Sequence, residues 1–204
     1  MTITYPLSFP SNVGLTSFKI GLIEAVSAAT SPYDFSTQVY QYGGQVWRIE
    51  AALPLMRRNN AAVYDAFFLK LRGMYGTFLF GDPNATTPQG TWGGTPLVNG
   101  AAQTGNTLNI DGVTIGGTVK AGDYFQLGSG STSRLYKIVT DATANGSGQV
   151  TLEFMPAITT APADNATVTY NSAVGAFRLE SNANMLEISA QSLYSFSFSA
   201  KAVV

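Results

Sequence analysis

The sequence predicts a mainly β fold with a minor α contribution, and three observations support this prediction. Apolar and polar residues alternate along several segments, which is typical of strands with one buried face. One segment repeats its apolar residues at helical spacing. The middle of the chain is rich in Gly, Thr, Ala and Asn, with turn signals between short apolar runs. Together they predict a β-sandwich or split-barrel host domain with one helix, interrupted by a small β-barrel insertion.

The host domain is predicted from two separate parts of the chain, residues 1–83 and 173–204. In each part, apolar residues occupy every second position while polar residues fill the positions between them. Such alternation predicts strands with one buried and one solvated face. The residues predicted to be buried are Phe18, Ile20 and Leu22, then Trp47, Ile49, Ala51 and Leu53, and near the C-terminus Tyr194, Phe196, Phe198 and Ala200.

A single helix is predicted from about Asn60 to Arg72. Apolar side chains recur there at intervals of three and four residues, which places them on one side of a helix. Lys70 and Arg72 lie in the last turn, where the helix dipole favours cations, and Gly73 suits the helix end. We expect the apolar stripe to pack on a sheet. Its members are Val63, Tyr64, Phe67, Phe68 and Leu71.

Residues 84–172 are predicted to form the inserted β module. Gly-containing turn signals such as Asp111-Gly112 and Asn145-Gly146 separate short apolar runs. A small barrel is expected because closure removes exposed strand edges, and the module is expected to be separable from its host. The predicted strands are about Thr107–Ile110, Val113–Val119, Tyr124–Leu127, Leu135–Thr140, Val150–Phe154 and Thr167–Tyr170.

The charge content is unusually low and argues for an assembly protein. Charged residues make up 11% of the chain, against about 25% in an average soluble protein. A surface with so little electrostatic repulsion tolerates burial against other copies. The net charge is −1 and Arg57–Arg58 is the longest basic run, which argues against DNA binding. No apolar run approaches the roughly 20 residues that span a bilayer, so no membrane association is expected.

The chain contains neither His nor Cys, which excludes zinc sites, Ser-His-Asp triads and Cys-His dyads within one chain. Its twelve acidic residues lie mostly in turns, where carboxylates bind local backbone amides. Asp111 and Asp141 were considered as single calcium ligands, but the calcium-loop pattern is missing. We therefore expect no catalytic residue, no metal and no cofactor.

Trp92 lies in the small, flexible context Thr91-Trp92-Gly93-Gly94. If the Trp92 side chain is exposed, it can stack on a sugar or form the centre of an interface with a partner. The alternative, slightly favoured, is that it packs where the insertion joins the host.

Several segments carry a resemblance to a known family. They are residues 45–54 (QVWRIEAALP), the helix with aromatic and aliphatic spacing, residues 77–83 (TFLFGDP), and within the insertion residues 119–127 (VKAGDYFQL) and 148–156 (GQVTLEFMP). Their order resembles the distal tail protein (Dit-type) family of siphophages, some members of which carry an insertion with an oligosaccharide/oligonucleotide-binding (OB)-like barrel. The likeness extends over nearly the whole chain.

The resemblance implies a non-enzymatic protein of the phage tail, made in the host cytoplasm. Its function would be to form a homo-oligomeric ring, commonly a hexamer, that joins the tail tube protein to the baseplate hub protein. DNA would pass through the ring without specific binding, and the insertion would project towards tail fibre or collar proteins. We expect a neutral or acidic channel, with Glu24 and Glu50 as candidates for facing the lumen.

Two other functions were considered. A carbohydrate-binding module of a phage tail or cell-surface protein would use Trp92 and the aromatic residues of the insertion as a platform. A glycosidase with two carboxylates is disfavoured more strongly, because the chain lacks other titratable groups such as His and Cys and most of its Asp residues lie in turns.

Overall fold

The computed structural model describes residues 3–183 and 185–203. It is 42% strand and 8% helix, so the predicted mainly β fold is confirmed. The strands, in chain order, are β1 (Leu7–Ser8), β2 (Ser17–Thr30), β3 (Thr37–Ala52), β4 (Phe78–Phe80), β5 (Leu97–Val98), β6 (Gly105–Asp111), β7 (Thr118–Val119), β8 (Tyr124–Leu127), β9 (Arg134–Ile138), β10 (Ala142–Thr143), β11 (Val150–Ile158), β12 (Val168–Thr169), β13 (Gly175–Leu179), β14 (Glu187–Ile188), β15 (Tyr194–Ser195) and β16 (Ser197–Ala202).

A six-stranded sheet with the order β1-β4-β13-β16-β3-β2 combines both predicted parts of the host. β1 pairs in parallel with β4, and the other neighbours are antiparallel. One face is apolar because side chains alternate across the sheet. The buried residues of β3 and β16 on this face are Trp47, Ile49, Ala51, Phe198 and Ala200.

The helix α1 (Arg58–Leu71) covers this apolar face. Tyr64, Phe67, Phe68 and Leu71 are buried as predicted, because spacings of three and four keep them on one side. Val63 is 42% exposed, so its inclusion in the buried stripe was wrong. It is next to Tyr64, which already faces the core, and one residue turns the side chain by about 100°.

The second six-stranded sheet has the order β12-β8-β9-β11-β6-β5. An isolated bridge joins Leu97 to Thr167, beside the two edge strands, so the sheet is nearly closed into a barrel. The predicted strand Val113–Val119 was wrong over most of its length: Gly116 lies in a turn and only Thr118–Val119 is extended. The barrel has its own core, whose members include Trp92, Phe125, Tyr136, Phe154, Leu108, Ile110, Ile138 and Leu152.

The two ends of the barrel segment lie side by side. Phe80, at the end of β4, pairs with Gly175, at the start of β13. A Cβ atom on Gly81 would clash with the carbonyl oxygen of Ala173. The chain therefore leaves and re-enters the host sheet at almost the same point, which is the geometry of an insertion. No helix in residues 3–183 and 185–203 has the length and apolarity to cross a membrane.

Candidate assembly surfaces

The most exposed feature of the molecule is the outer part of the β2–β3 hairpin, residues 23–44, here called the arm. The hairpin stays paired from Ser17↔Ala52 out to Thr30↔Thr37. Every residue of the arm is exposed except the half-buried Ser31. Eight residues per strand give an arm of about 27 Å. A two-stranded ribbon of this kind is marginally stable alone in water.

The tip of the arm is an ordered turn. Ser31 N–H donates to the Ser36 carbonyl over 2.8 Å, and Phe35 N–H donates to the Ser31 carbonyl over 3.1 Å. The Asp34 carboxylate accepts hydrogen bonds from Ser36 N–H at 3.1 Å and from its hydroxyl at 2.8 Å. Hydrogen bonds from the Ser31 and Ser36 side chains lower the pKa of Asp34, so it is charged at neutral pH.

Large apolar side chains are concentrated on the arm. Seven of the sixteen exposed large hydrophobic residues in the described chain lie there, with Tyr33 95% exposed and Phe35 79% exposed. The arm also contains Glu24 and Asp34 and no Lys or Arg, so it is acidic as well as apolar. Exposed apolar surface of this extent marks an interaction site. The other five arm residues in this set are Ile23, Val26, Val39, Tyr40 and Tyr42.

The outer side of α1 is the second such surface. Ala62, Val63, Ala66 and Leu69 form an exposed stripe at helical spacing, opposite the buried stripe. An apolar stripe on the outer side of a helix is typical of a surface that contacts a partner. Four basic residues and one acid, Asp65, lie between residues 57 and 72. The basic residues, all exposed, are Arg57, Arg58, Lys70 and Arg72.

The third surface is the open face of the host sheet, opposite α1. A chain of ion pairs crosses it from strand to strand. Glu50 binds Lys19 at 3.6 Å and Arg48 at 3.2 Å. Glu180 binds Arg48 at 2.7 Å and Lys201 at 2.8 Å. Because these pairs are partly exposed, each contributes little to stability, but together they fix the side chains of this face.

The carboxylate of Glu180 is the most enclosed member of this network. Partial burial alone would raise its pKa, but hydrogen bonds from Lys201 and Arg48 outweigh that effect and lower the pKa below its ordinary value. The same contact with Glu180 raises the pKa of Arg48. Both groups are therefore charged at neutral pH. Arg178 pairs across the sheet with Lys201 on the same face, which gives the open face four basic residues and two acids.

Glu24 and Glu50, the two candidates for facing a channel, lie on opposite faces of the sheet. Glu50 is on the open face beside Lys19. Glu24 pairs with Gln45, which shares the face of Trp47, and its carboxylate accepts a 3.3 Å hydrogen bond from the Gln45 amide. Gln45 in turn accepts a bond from Ala157 N–H in the barrel at 2.8 Å. A single lumen lined by this sheet therefore cannot contain both carboxylates.

Trp92 is fully buried in the barrel core. Its ring stacks on Tyr170 with centroids 5.3 Å apart, and its indole N–H donates to Asp123 over 3.0 Å. The carboxylate of Asp123, itself buried, also accepts the backbone N–H groups of Gln89, Gly90 and Lys120. Trp92 is therefore neither exposed nor at the junction with the host, the position that we favoured, but inside the barrel core, and its burial argues against a glycan platform at this residue.

The described residues contain no group of three or more acidic side chains placed to hold a metal ion. Of the two acids considered as calcium ligands, Asp141 forms an ion pair with Lys120 at 2.7 Å and accepts a hydrogen bond from Ala121 N–H at 2.8 Å. Asp111 has no such contact with a described residue. The Ala121 hydrogen bond is the main cause of the lowered pKa of Asp141. The carboxylate of Asp141 therefore holds a local turn.

The sequence predicted the base of the hairpin but not the arm. The signal was present in Ser31-Pro32-Tyr33-Asp34, a turn pattern placed between two long segments without Lys or Arg. The arm lacks the alternation of a half-buried strand because no described part of the chain covers either of its faces. The exposed apolar stripe that contains Val63 and Leu69 was also not predicted, because the sequence analysis considered only one apolar side of the helix.

Comparison with known proteins gives one match to a family model. Residues 84–173 match the model described as the distal tail protein pb9, B domain. No curated protein matches the chain. The matched residues are those of the barrel, so the likeness to a distal tail protein is shown for this part of the chain.

Proposed function

We propose that the chain forms a homo-oligomeric ring, a hexamer, that joins the tail tube protein to the baseplate hub protein and surrounds the path of the DNA. The observation that carries this proposal is the arm. On a monomer, an exposed apolar ribbon favours unspecific association. In an assembly, the same ribbon can be buried against a neighbouring copy. A tail ring supplies a neighbouring copy for every arm.

The host sheet suits a closed ring because its two edges differ. β2, with the arm, forms one edge, and the short β1 forms the other. Contacts between two different patches generate a ring when the rotation between copies closes. We therefore assign residues 1–83 and 173–204 to a ring-forming domain and residues 84–172 to an inserted OB-like domain that contacts fibre or collar proteins.

The open sheet face is our candidate for the channel wall, with Glu50 in the lumen and Glu24 outside it. Five of its charged groups, three basic and two acidic, are joined in ion pairs, so together they carry a net charge of only +1. Arg178 is in no ion pair with a described residue, so this face is slightly basic rather than neutral or acidic. DNA is expected to pass without specific binding, and no catalytic activity is expected.

The mass of the full chain in solution tests the ring. We expect sedimentation of concentrated protein to give six times the 21.6 kDa of one chain. The matched variant replaces residues 27–40 by Asn-Gly, a two-residue hairpin turn that joins the paired Val26 and Gln41. It is expected to stay folded but monomeric. A wild-type chain that is monomeric both at high concentration and in tail extracts would contradict the proposal.

A carbohydrate-binding function is a weaker second candidate. One cleft of the barrel, of about 480 Å³, is lined mainly by amide and hydroxyl side chains, together with Ile110 and Val150, and by no charged residue. Such groups suit neutral sugars, since each can both donate and accept hydrogen bonds. Selective binding of the isolated full chain to a glycan array would favour this function over a purely structural one.

A further inference from the structure

The arm and the outer side of α1 have complementary properties. The arm is a flat apolar ribbon with two acids and no basic residue. The helix surface combines an apolar stripe with four exposed basic residues, and none of the four is in an ion pair with another described residue. Opposite potentials on two apolar surfaces favour contact between them.

We propose that the arm of one copy docks on the outer side of α1 of the next copy in the ring. This inference rests on the proposed ring and names the surface that receives the arm. Ala62 and Ala66 are small and leave a shallow track along the helix, bordered by Val63 and Leu69. The arm covers this stripe and places Asp34 and Glu24 near the basic helix ends.

An apolar groove elsewhere on the host domain is the main competing site. It has a volume of about 490 Å³ and is lined by apolar residues that include Phe9, Val13 and Phe80. Its lining contains Asp82 and no Lys or Arg. An acidic arm would meet a like charge there, which disfavours this docking. The helix surface offers the opposite charge beside an exposed apolar stripe.

Disulfide trapping in the full chain tests the proposal, and it is unusually clean because the protein contains no cysteine. One preparation carries Ser27→Cys or Ser36→Cys in the arm. A second carries Ala62→Cys or Ala66→Cys on the helix. The control preparation carries Ser11→Cys in the groove. All five substitutions are small, so they leave the apolar surfaces intact.

Mixed arm and helix preparations are expected to shift from 21.6 kDa to a band of twice that mass after oxidation. Mixed arm and groove preparations are expected to remain at the mass of one chain. Trapping at the groove, or no trapping at either site in a sample that sedimentation shows to be oligomeric, would overturn the docking while leaving the ring intact. A sample that never oligomerises would overturn the ring and the docking together.

A charge reversal provides the second measurement. Arg58→Glu combined with Lys70→Glu should abolish both the trapped dimer and the oligomer, because the helix surface becomes acidic like the arm. Arg178→Glu, an exposed change on the open sheet face, is the matched control and should leave trapping unchanged. Equal trapping in both variants would overturn the charge-complementary docking.

Discussion

The indole N–H of Trp47 donates a 2.8 Å hydrogen bond to the backbone carbonyl of Leu135, and this buried bond joins the host sheet to the barrel. Tyr124 of the barrel packs on the same indole, with ring centroids 6.4 Å apart. Leu135 and Tyr124 belong to the host core rather than to the barrel core. The barrel is therefore seated on the host by shared packing as well as by its two chain connections.

Replacing Trp47 by Phe should destabilise the protein by about 1–3 kcal/mol, because it leaves the buried Leu135 carbonyl without its donor. Tyr124→Phe is the matched control at the same joint. The Tyr124 hydroxyl is buried and has no hydrogen-bond partner among the described residues, so its removal should be neutral or stabilising. Urea unfolding measures both. A larger loss for Tyr124→Phe than for Trp47→Phe would contradict this account of the joint.

Deleting residues 84–172 and joining the ends with a short Gly/Ser linker should leave a folded host of reduced stability. The ends are adjacent, so closure costs little, but the deletion uncovers Trp47. Adding Trp47→Ser should reduce aggregation of the deleted chain. Circular dichroism that shows no cooperative melt in either deleted chain would contradict separability.

Asp123→Asn should destabilise the barrel by about 3 kcal/mol, since the carboxylate holds four N–H donors and an amide must turn its own NH₂ towards one of them. The control is Asp111→Asn, in the same barrel, whose carboxylate makes no hydrogen bond to a described residue. Urea unfolding followed by tryptophan fluorescence should separate the two. Equal stability of both variants would mean that the Asp123 cluster is dispensable.

Phe67→Ala on the inner side of α1 should cost roughly 3–5 kcal/mol through the cavity it leaves. Val63→Ala, one helical turn earlier on the outer side, should change the stability of the monomer by less than about 1 kcal/mol. The free energy of unfolding of both variants is measured with denaturant at low protein concentration, so that assembly does not contribute to it. Similar losses for the two variants would contradict the assignment of the two sides.

Acid should weaken the open sheet face through Glu180. Its pKa is lowered in the folded protein, so its contribution to stability is present above its ordinary pKa of 4.5 and is lost as the pH falls through the lower folded value. Glu180→Gln should flatten this part of the pH–stability curve. Thermal melting of both proteins from pH 7 down to pH 3 measures the effect. Parallel curves would show that Glu180 does not contribute.

Local patterns predicted most of the fold, and non-local contacts account for the errors. Alternation identified Phe198 and Ala200 because one sheet face is covered by α1. The sequence placed Trp92 at the junction with the host rather than in the barrel core, because Asp123, its hydrogen-bond partner, is 31 residues away and no local pattern links the two. The arm escaped prediction because both of its faces are exposed in the described chain, so its strands lack the alternation of a half-buried strand.

Cryo-electron microscopy of the intact virion tests the central claim most directly. We predict a ring of copies at the tail axis between the tail tube and the baseplate hub, with arms on neighbouring helices and barrels facing outwards. A virion whose tail axis contains no copy of this chain would contradict the account.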